Sequence, residues 1–421
     1  MNLTHRPNLL RPSGDVDVAI VGAGAAGIAA ARRCLAGGLT PAVLEARGRV
    51  GGRALTASFG GHPVDLGAHW MHAGAVNPLV RLARQRGERL RRARGDSHVV
   101  VRGRFVGPAG RAEHGRAFDR VDAAICRGIA GGVDAPVSAL LPPLGRWRAA
   151  TEATYALISG RPLDEVSAAD FPSDEFGDNY FVGGGYGAYL SRLAAGLPIA
   201  LGCAVTRIEV AGGSVRLSTS AGTVTAGAAI VTVPTPLLAA GEIDFRPGLP
   251  ADLADAVAGF EAGTYEHVVV NWPDAPFHGA DRLAKLIGSR QSLGLMTRLD
   301  GAPFHYIELD HATVRSRQHG GRPALAQIAR AAVREQFGAR ALDRLRVVAA
   351  TDWTGDPWSR SAWAVLPPGR AGHRATLRRP AAERLWFAGE AASSRMWGTV
   401  GGAWEEGERA ADEAASLLRR R

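Results

Sequence analysis

The sequence predicts an α/β fold, α+β overall, in which a parallel-sheet domain is interleaved with a second domain of antiparallel sheet plus helices. Three observations carry that prediction. A buried-strand pattern, "VDVAIV" at residues 16–21, runs straight into a glycine-rich turn and a helical stretch. A second turn of the same kind, in "LWFAGEAASSRMWGTVGGAWEEGERAA", lies at the opposite end of the chain, Leu385 to Ala411. Between them, short strands and Gly-rich turns alternate with helical segments, without an internal repeat. The first domain then recurs in three pieces, residues 14–75, 176–260 and 345–421. The second fills the gaps at 76–175 and 261–344.

Length and composition agree with this. A chain of 421 residues exceeds one compact core, and 46% hydrophobic content excludes a disordered chain. No run approaches the roughly 18 uncharged apolar residues of a membrane span. The start, "MNLTHRPNLLRPSGD", has neither a signal-peptide core nor a twin-arginine pair. Cys34, Cys126 and Cys203 lie far apart, so neither a disulfide framework nor a metal site is expected. These features point to a cytoplasmic protein.

The net charge of +10 comes from arginine, Lys285 being the only lysine. The densest stretch, "RLARQRGERLRRARGD" from Arg81 to Asp96, follows Asn77-Pro78, which suits an N-cap and first helical position. A solvated helix face is expected there, with an anionic partner surface as the alternative. No nucleic-acid motif accompanies it.

The first turn, "GAGAAG", is the GxGxxG fingerprint in its strand–turn–helix setting, as in a Rossmann-type dinucleotide site. Gly22 permits the tight turn, Gly24 lets backbone approach a pyrophosphate, and Gly27 lets helix and strand pack closely. N–H groups near Ala25 and Ala26 would hold the phosphates. A second strand, "PAVLEA", ends on Glu45, where a carboxylate can grip a ribose diol. The alternative is an ordinary turn in a Gly/Ala-rich protein. "EARGRVGGRA" resembles the extended flavoprotein form of the motif, matched by Arg47, Gly52 and Arg53, which favours FAD over NAD. "VDLGAHWMHAGAVNP" resembles the stretch along a flavin ring, which Gly67, Ala68, His69 and Trp70 would line.

Residues 76–174 read as mostly helical, with breaks at 131–132 and 141–145. "PIALGCAVTRIEVAGGSVRLSTSAGTVTAGAAIVTVP" reads as a meander of strands. "YEHVVVNW", "FHYIELD" and "RVVAATDW" are further strands, and "RPALAQIARAAVREQFG" is a helix.

The whole set of motifs resembles the FAD-dependent amine oxidase family, which includes monoamine and polyamine oxidases, L-amino-acid oxidases and histone demethylases. The resemblance implies a Rossmann-like FAD-binding domain and further site residues. Val205 would touch the adenine through its backbone. Gly389 and Glu390 would lie near the ribityl or pyrophosphate. Thr399 and Val400 would offer N–H groups to the pyrimidine end of the flavin, helped by a helix N-terminus. Thus one turn would hold the phosphates and the other the flavin. Trp353 would pack beside the ring. Trp363 matches one of two aromatic residues flanking the substrate in monoamine oxidases; Thr399 matches the other, leaving one aromatic wall. The position of a flavin-linking cysteine is Ala362, so FAD is expected to be non-covalent.

The sharpest departure is in "AGTYEHVVVNW", where His267 replaces the family's lysine, which holds a water against the flavin. His267 could do the same near neutral pH; the alternative is an exposed surface residue. Lys285, eighteen residues on, does not match the motif. His267, Trp353 and Trp363 are the candidate catalytic residues.

The resemblance implies oxidation of the CH–NH bond of a primary or secondary amine, or an amino acid, to an imine, with O2 as acceptor and H2O2 as product. A C–C desaturase resembling protoporphyrinogen oxidase stays open, since it would share both turns. So do an amine dehydrogenase with another acceptor and a flavin-stabilised binding protein. Expected partners are a small-molecule amine and O2, with no nucleic acid and no membrane; a homodimer is compatible. Glu261, Glu266, Asp174 and Glu175 are candidates for attracting a cationic amine.

Overall fold

The structure is a computed structural model that describes residues 15–93, 97–171, 177–288, 292–316 and 320–420. Asp174 and Glu175 lie outside the described residues. An eight-stranded sheet is centred on β1 (Asp15–Val21), which pairs in parallel with β2 (Pro41–Glu45) and β3 (Gly222–Val231). Ile199–Leu201 extends the β2 edge. The long strand β3 has two partners on its other side. Its first half pairs with Ser214–Thr219, which continues antiparallel to Val205–Ala211, the expected meander. Its last residues, Ala229–Val231, pair in parallel with Leu385–Phe387. The strand before the second glycine turn therefore stands in the same sheet as the strand before the first.

The helices after the two turns also meet. α1 (Ala25–Ala36) is buried through Ala25, Ala26, Ile28, Ala29, Ala30, Ala31 and Cys34, an almost wholly small-residue surface. Apart from the exposed end at Arg33 and Leu35, such a helix must be covered on both sides. Its outer cover is α5 (Val400–Leu418), which follows α2 (Pro78–Gln85), α3 (Pro108–Ala130) and α4 (Arg148–Ser159) in the chain. A Cβ at Gly407 of α5 would lie 2.1 Å from the Ala26 carbonyl oxygen, so the two backbones touch only because that position is bare.

A second, seven-stranded sheet holds β4 (Glu266–Asn271), β5 (Arg282–Ile287), β6 (Ser292–Thr297) and β7 (Phe304–Leu309), in the antiparallel order β4–β7–β6–β5. Ser97–Val101 runs parallel to β5. Arg346–Ala350 pairs with β4, so this strand joins the second sheet although the sequence reading grouped residues 345–421 with the first. The strands β5 and β6 were not anticipated.

Residues 76–174 are less helical than expected. α3 and α4 form with breaks close to the anticipated glycines and prolines, but Leu90–Arg92, Ser97–Val101 and Arg104–Phe105 are strands. The basic stretch is correspondingly a helix only through Gln85, capped by the Asn77 side chain on the Leu79 N–H. Four of its arginines, Arg84, Arg89, Arg91 and Arg92, turn to partners within the chain. Arg84 donates to the Tyr180 hydroxyl at 3.0 Å, Arg91 pairs with Asp281 and Asp300, and Arg89 pairs with Asp300. Among the described residues no helix is long and apolar enough to cross a membrane.

Candidate active site

One cavity of about 1090 Å³ runs from the first glycine turn, past the start of α5, to a wall formed by α3, α4 and the second sheet. It gathers residues that are hundreds of positions apart. Gly22, Gly24, Ala26, Glu45, Arg47, Gly52, Arg53, Gly67, Ala68, His69, Trp70, Val205, Trp353, Trp363, Gly389, Glu390, Thr399 and Val400 all line it. Gly27 does not: its Cβ would sit 1.9 Å from the Gly22 carbonyl oxygen, which is the close helix–strand approach anticipated for it.

The phosphate end is built from backbone. Gly22 has φ +102°, open to glycine alone at no cost. Gly24 and Gly52 face one another, and a Cβ on Gly52 would come within 3.3 Å of Gly24 Cα. Side chains would close this groove; glycines keep it open for a ligand lying against backbone. Glu45 is buried, and its two oxygens accept the Ala23 and Arg47 N–H groups, each at 2.7 Å. Each oxygen keeps a lone pair for a diol. Burial raises the carboxyl above its ordinary range against those N–H bonds. Arg47 is held by Asp356 at 2.5 and 2.8 Å. Arg53 pairs with Glu390 at 3.0 Å, and Glu390 in turn accepts the Ala364 and Gly398 N–H groups.

At the other end stands the N-terminus of α5. The Thr399 hydroxyl accepts the Gly402 N–H at 3.0 Å and donates to the Met396 carbonyl at 2.6 Å, an N-cap. Its own N–H donates to Met396 at 3.3 Å. The N–H groups of Val400 and Gly401, in the first turn, are the ones left without an intrahelical partner. Trp353 is fixed through its indole N–H to the Leu66 carbonyl at 2.9 Å, and Gly67 makes room for its ring. His69 donates from Nδ1 to the Gly67 carbonyl at 3.0 Å, leaving buried Nε2 a bare acceptor. Burial lowers its pKa to about 3. Glycines, a diol acceptor and a free helix N-terminus at opposite ends thus fit one long dinucleotide with a flat ring system.

Beyond this lies a wall that the sequence did not disclose. The Trp363 ring stands 5.7 Å from that of Tyr265, tilted by 35°, so a second aromatic does flank this region. Glu308 of β7 and Lys285 of β5 line the cavity, as do His114, Asp119, Asp122 and Cys126 of α3. The two described acids among those first considered, Glu261 and Glu266, do not line the cavity. Glu261 is exposed, and Glu266 is wholly buried beneath Trp353, accepting the Trp353 N–H, Thr354 N–H and Thr351 hydroxyl. His267 is fully buried rather than exposed, and it is not among the cavity-lining residues. Its Nε2 donates to the Asp65 carbonyl at 3.2 Å, and its ring packs 6.0 Å from His69 and 5.4 Å from Tyr306. Lys285 had one signal in the sequence: a lone lysine within the apolar run "RLAKLI" of a chain that otherwise uses arginine.

Comparison with known proteins agrees with this geometry. The sequence profile of the flavin containing amine oxidoreductases matches residues 25–170 and 165–415. The human lysine-specific histone demethylase 2 is 27% identical over 95% of this chain and 53% of its own length. The chain thus spans about half the length of the curated demethylases it matches. Rice polyamine oxidase 4 is 26% identical over 95% of this chain and 89% of its own length. A putrescine oxidase bound to putrescine superposes with a TM-score of 0.77 at 20% identity, covering 97% of this chain and all of the other. The chain belongs to the flavin-containing amine oxidoreductases, and its cofactor is FAD.

Proposed function

We propose that this protein oxidises the CH–NH bond of a primary or secondary amine to an imine, with O2 reoxidising the cofactor to give H2O2. The observation that supports it best is the carboxylates in the cavity wall, Glu308 inside and Asp119 and Asp122 on α3. Bound FAD supplies the two-electron acceptor for the hydride equivalent leaving the carbon beside nitrogen.

The chain's own residues do the rest. Gly24, Gly52, Glu45 and the α1 N-terminus hold the phosphate and ribose end. The Val400 and Gly401 N–H groups and the α5 dipole favour negative charge at the ring's pyrimidine end. Trp353, Trp363 and Tyr265 form apolar walls against the substrate carbon skeleton. In such surroundings an amine is more readily neutral, the form that reacts. His69, held neutral, can accept but not donate a hydrogen bond at Nε2. We assign His267 a positioning part, tying β4 to the Asp65 carbonyl and so to the segment carrying His69 and Trp70. The two sheets are proposed as the cores of a cofactor unit and a substrate unit, and the three free cysteines suit a cytoplasmic setting.

A C–C desaturase would be favoured by a purely apolar channel, which the buried Glu308 and the half-buried Lys285 contradict. An anaerobic screen of amines and amino acids, followed by flavin bleaching and then by peroxide release on admitting air, tests the proposal. Bleaching by an apolar C–C substrate and by no amine would overturn it. Bleaching by an amine without peroxide on reoxidation would replace O2 with another acceptor.

A further inference from the structure

Four positions of the second sheet stand in one row. His267 of β4 is opposite Glu308 of β7, Glu308 is opposite Gly294 of β6, and Gly294 is opposite Lys285 of β5. Directly opposed residues point to the same face of a sheet. Gly294 leaves a gap in the row, and the Glu308 side chain fills it: a Cβ there would lie 1.8 Å from Glu308 Oε2. The carboxylate therefore leans away from His267, towards the lysine strand. Its other oxygen, Oε1, accepts the Tyr265 hydroxyl at 2.7 Å.

Glu308 and Lys285 both face the cavity, yet they do not close on each other. Among the described residues, no hydrogen bond or ion pair reaches Lys285 Nζ, and Glu308 acts on it only as a nearby charge. Enclosed charges are costly to leave unpaired. Burial lowers the lysine pKa, opposed by Glu308. His114, on α3, lines the same cavity, and its buried Nε2 has no partner; burial first, and then the Lys285 charge, lower its pKa. An ammonium and an unpaired imidazole facing one void form a receptor for an anion.

The position of this receptor says which part of a ligand it meets. Strands are spaced by about 4.8 Å, so the Lys285 strand stands roughly 14 Å from the His267 strand, three places away. His267 packs against His69, beside the region assigned to the flavin. Lys285 thus marks the end of the cavity away from the reacting bond. We propose, resting on the amine-oxidation reading above, that Lys285 and His114 bind a carboxylate on the far end of the substrate. The substrate is then an amino acid, an amine carrying a carboxylate, rather than a diamine or polyamine. A diamine would place a second ammonium against Lys285, a like-charge contact that discriminates against it.

The test uses the FAD-loaded enzyme and compounds that differ only at the far end: n-alkylamines, ω-aminoalkanoates and α,ω-diaminoalkanes of four to about ten carbons, from n-butylamine, 4-aminobutanoate and 1,4-diaminobutane upwards, so that the longer members span about 11 Å. α-Amino acids of the same lengths, whose carboxylate sits on the reacting carbon, form a control arm that should show no such preference. Anaerobic flavin reduction is read as rate over dissociation constant. We expect the carboxylate-bearing member to exceed its monoamine counterpart by tenfold or more, with the diamine weakest. In K285M that preference falls at least tenfold through the dissociation constant, and K285R retains it. Pentanoate, which cannot be oxidised, should perturb the flavin spectrum of the wild-type protein and fail to do so in K285M. A wild-type preference for the diamine, or an unchanged preference in K285M, overturns the proposal; the wild-type comparison stands even if K285M does not fold. If n-butylamine reduces the flavin and no carboxylate preference exists, this inference alone fails. If no amine of any kind reduces it, the amine-oxidation reading fails with it.

Discussion

Replacing Glu266 with glutamine separates the cost of burying a charge from the value of the hydrogen bonds it makes. Glu266 is fully buried and accepts the Trp353 N–H at 2.6 Å, the Thr354 N–H at 3.0 Å and the Thr351 hydroxyl at 2.6 Å. Burial nevertheless outweighs these partners and pushes its pKa from 4.5 up to about 7. An acid whose folded pKa is raised contributes stability that is fully present below its unfolded pKa and lost as pH rises through the folded one. A rise of that size corresponds to about 3 kcal/mol between acid and alkaline limits, at about 1.4 kcal/mol per unit. Gln has no charge to bury, and its amide oxygen can still accept both backbone N–H groups, while its NH2 can donate to Thr351 Oγ1. The expected result is that E266Q and wild type have similar denaturant midpoints at pH 5, and that E266Q becomes the more stable by about 3 kcal/mol at pH 9. Unfolding by urea, followed by tryptophan fluorescence at several pH values, reads the difference. If that difference is the same at pH 5 and pH 9, burial does not raise the Glu266 pKa and the reasoning fails.

Two further predictions concern the cofactor. G407A places a Cβ 2.1 Å from the Ala26 carbonyl and must push α5 off α1; an overpacking cost of about 1–3 kcal/mol falls on the helix that carries the phosphate turn, so FAD affinity should drop by roughly 5- to 150-fold, measured by flavin fluorescence on dilution, and wild-type affinity would refute the close-contact account. Because Ala362, which lines the cavity, carries no nucleophile, acid precipitation should leave all flavin in the supernatant; colour retained in the pellet would show a covalent link instead.

Much of the cofactor groove was legible because its signals are local. A strand, a turn and a helix of 20 or so consecutive residues announce the phosphate end, and each glycine has one steric job. Gly22 needs its positive φ and Gly27 its missing Cβ, and both show in the spacing alone. The second turn was placed through the resemblance to the flavin amine oxidases, and its Thr399 and Val400 line the same cavity as the first turn. What local pattern could not show is how the turns meet. That depends on Gly407 against Ala26, two residues 381 positions apart that carry no signal except their size.

The cavity wall of the second sheet was illegible for a stronger reason: its chemistry is created by sheet register. His267, Glu308 and Lys285 become neighbours only once three antiparallel pairings are fixed, and a one-residue slip in any of them would turn a charge to the opposite face. The sequence reading therefore looked for a functional base at position 267 and set Lys285 aside because it matched no motif. A histidine is shorter than a lysine, and from that position it bonds Asp65 within the wall instead of reaching the cavity. The cavity's ammonium group comes instead from three strands away, across the gap left by Gly294. That glycine is then as specific a residue as the charges it separates: any side chain there must displace the Glu308 carboxylate, and with it the spacing between Glu308 and Lys285.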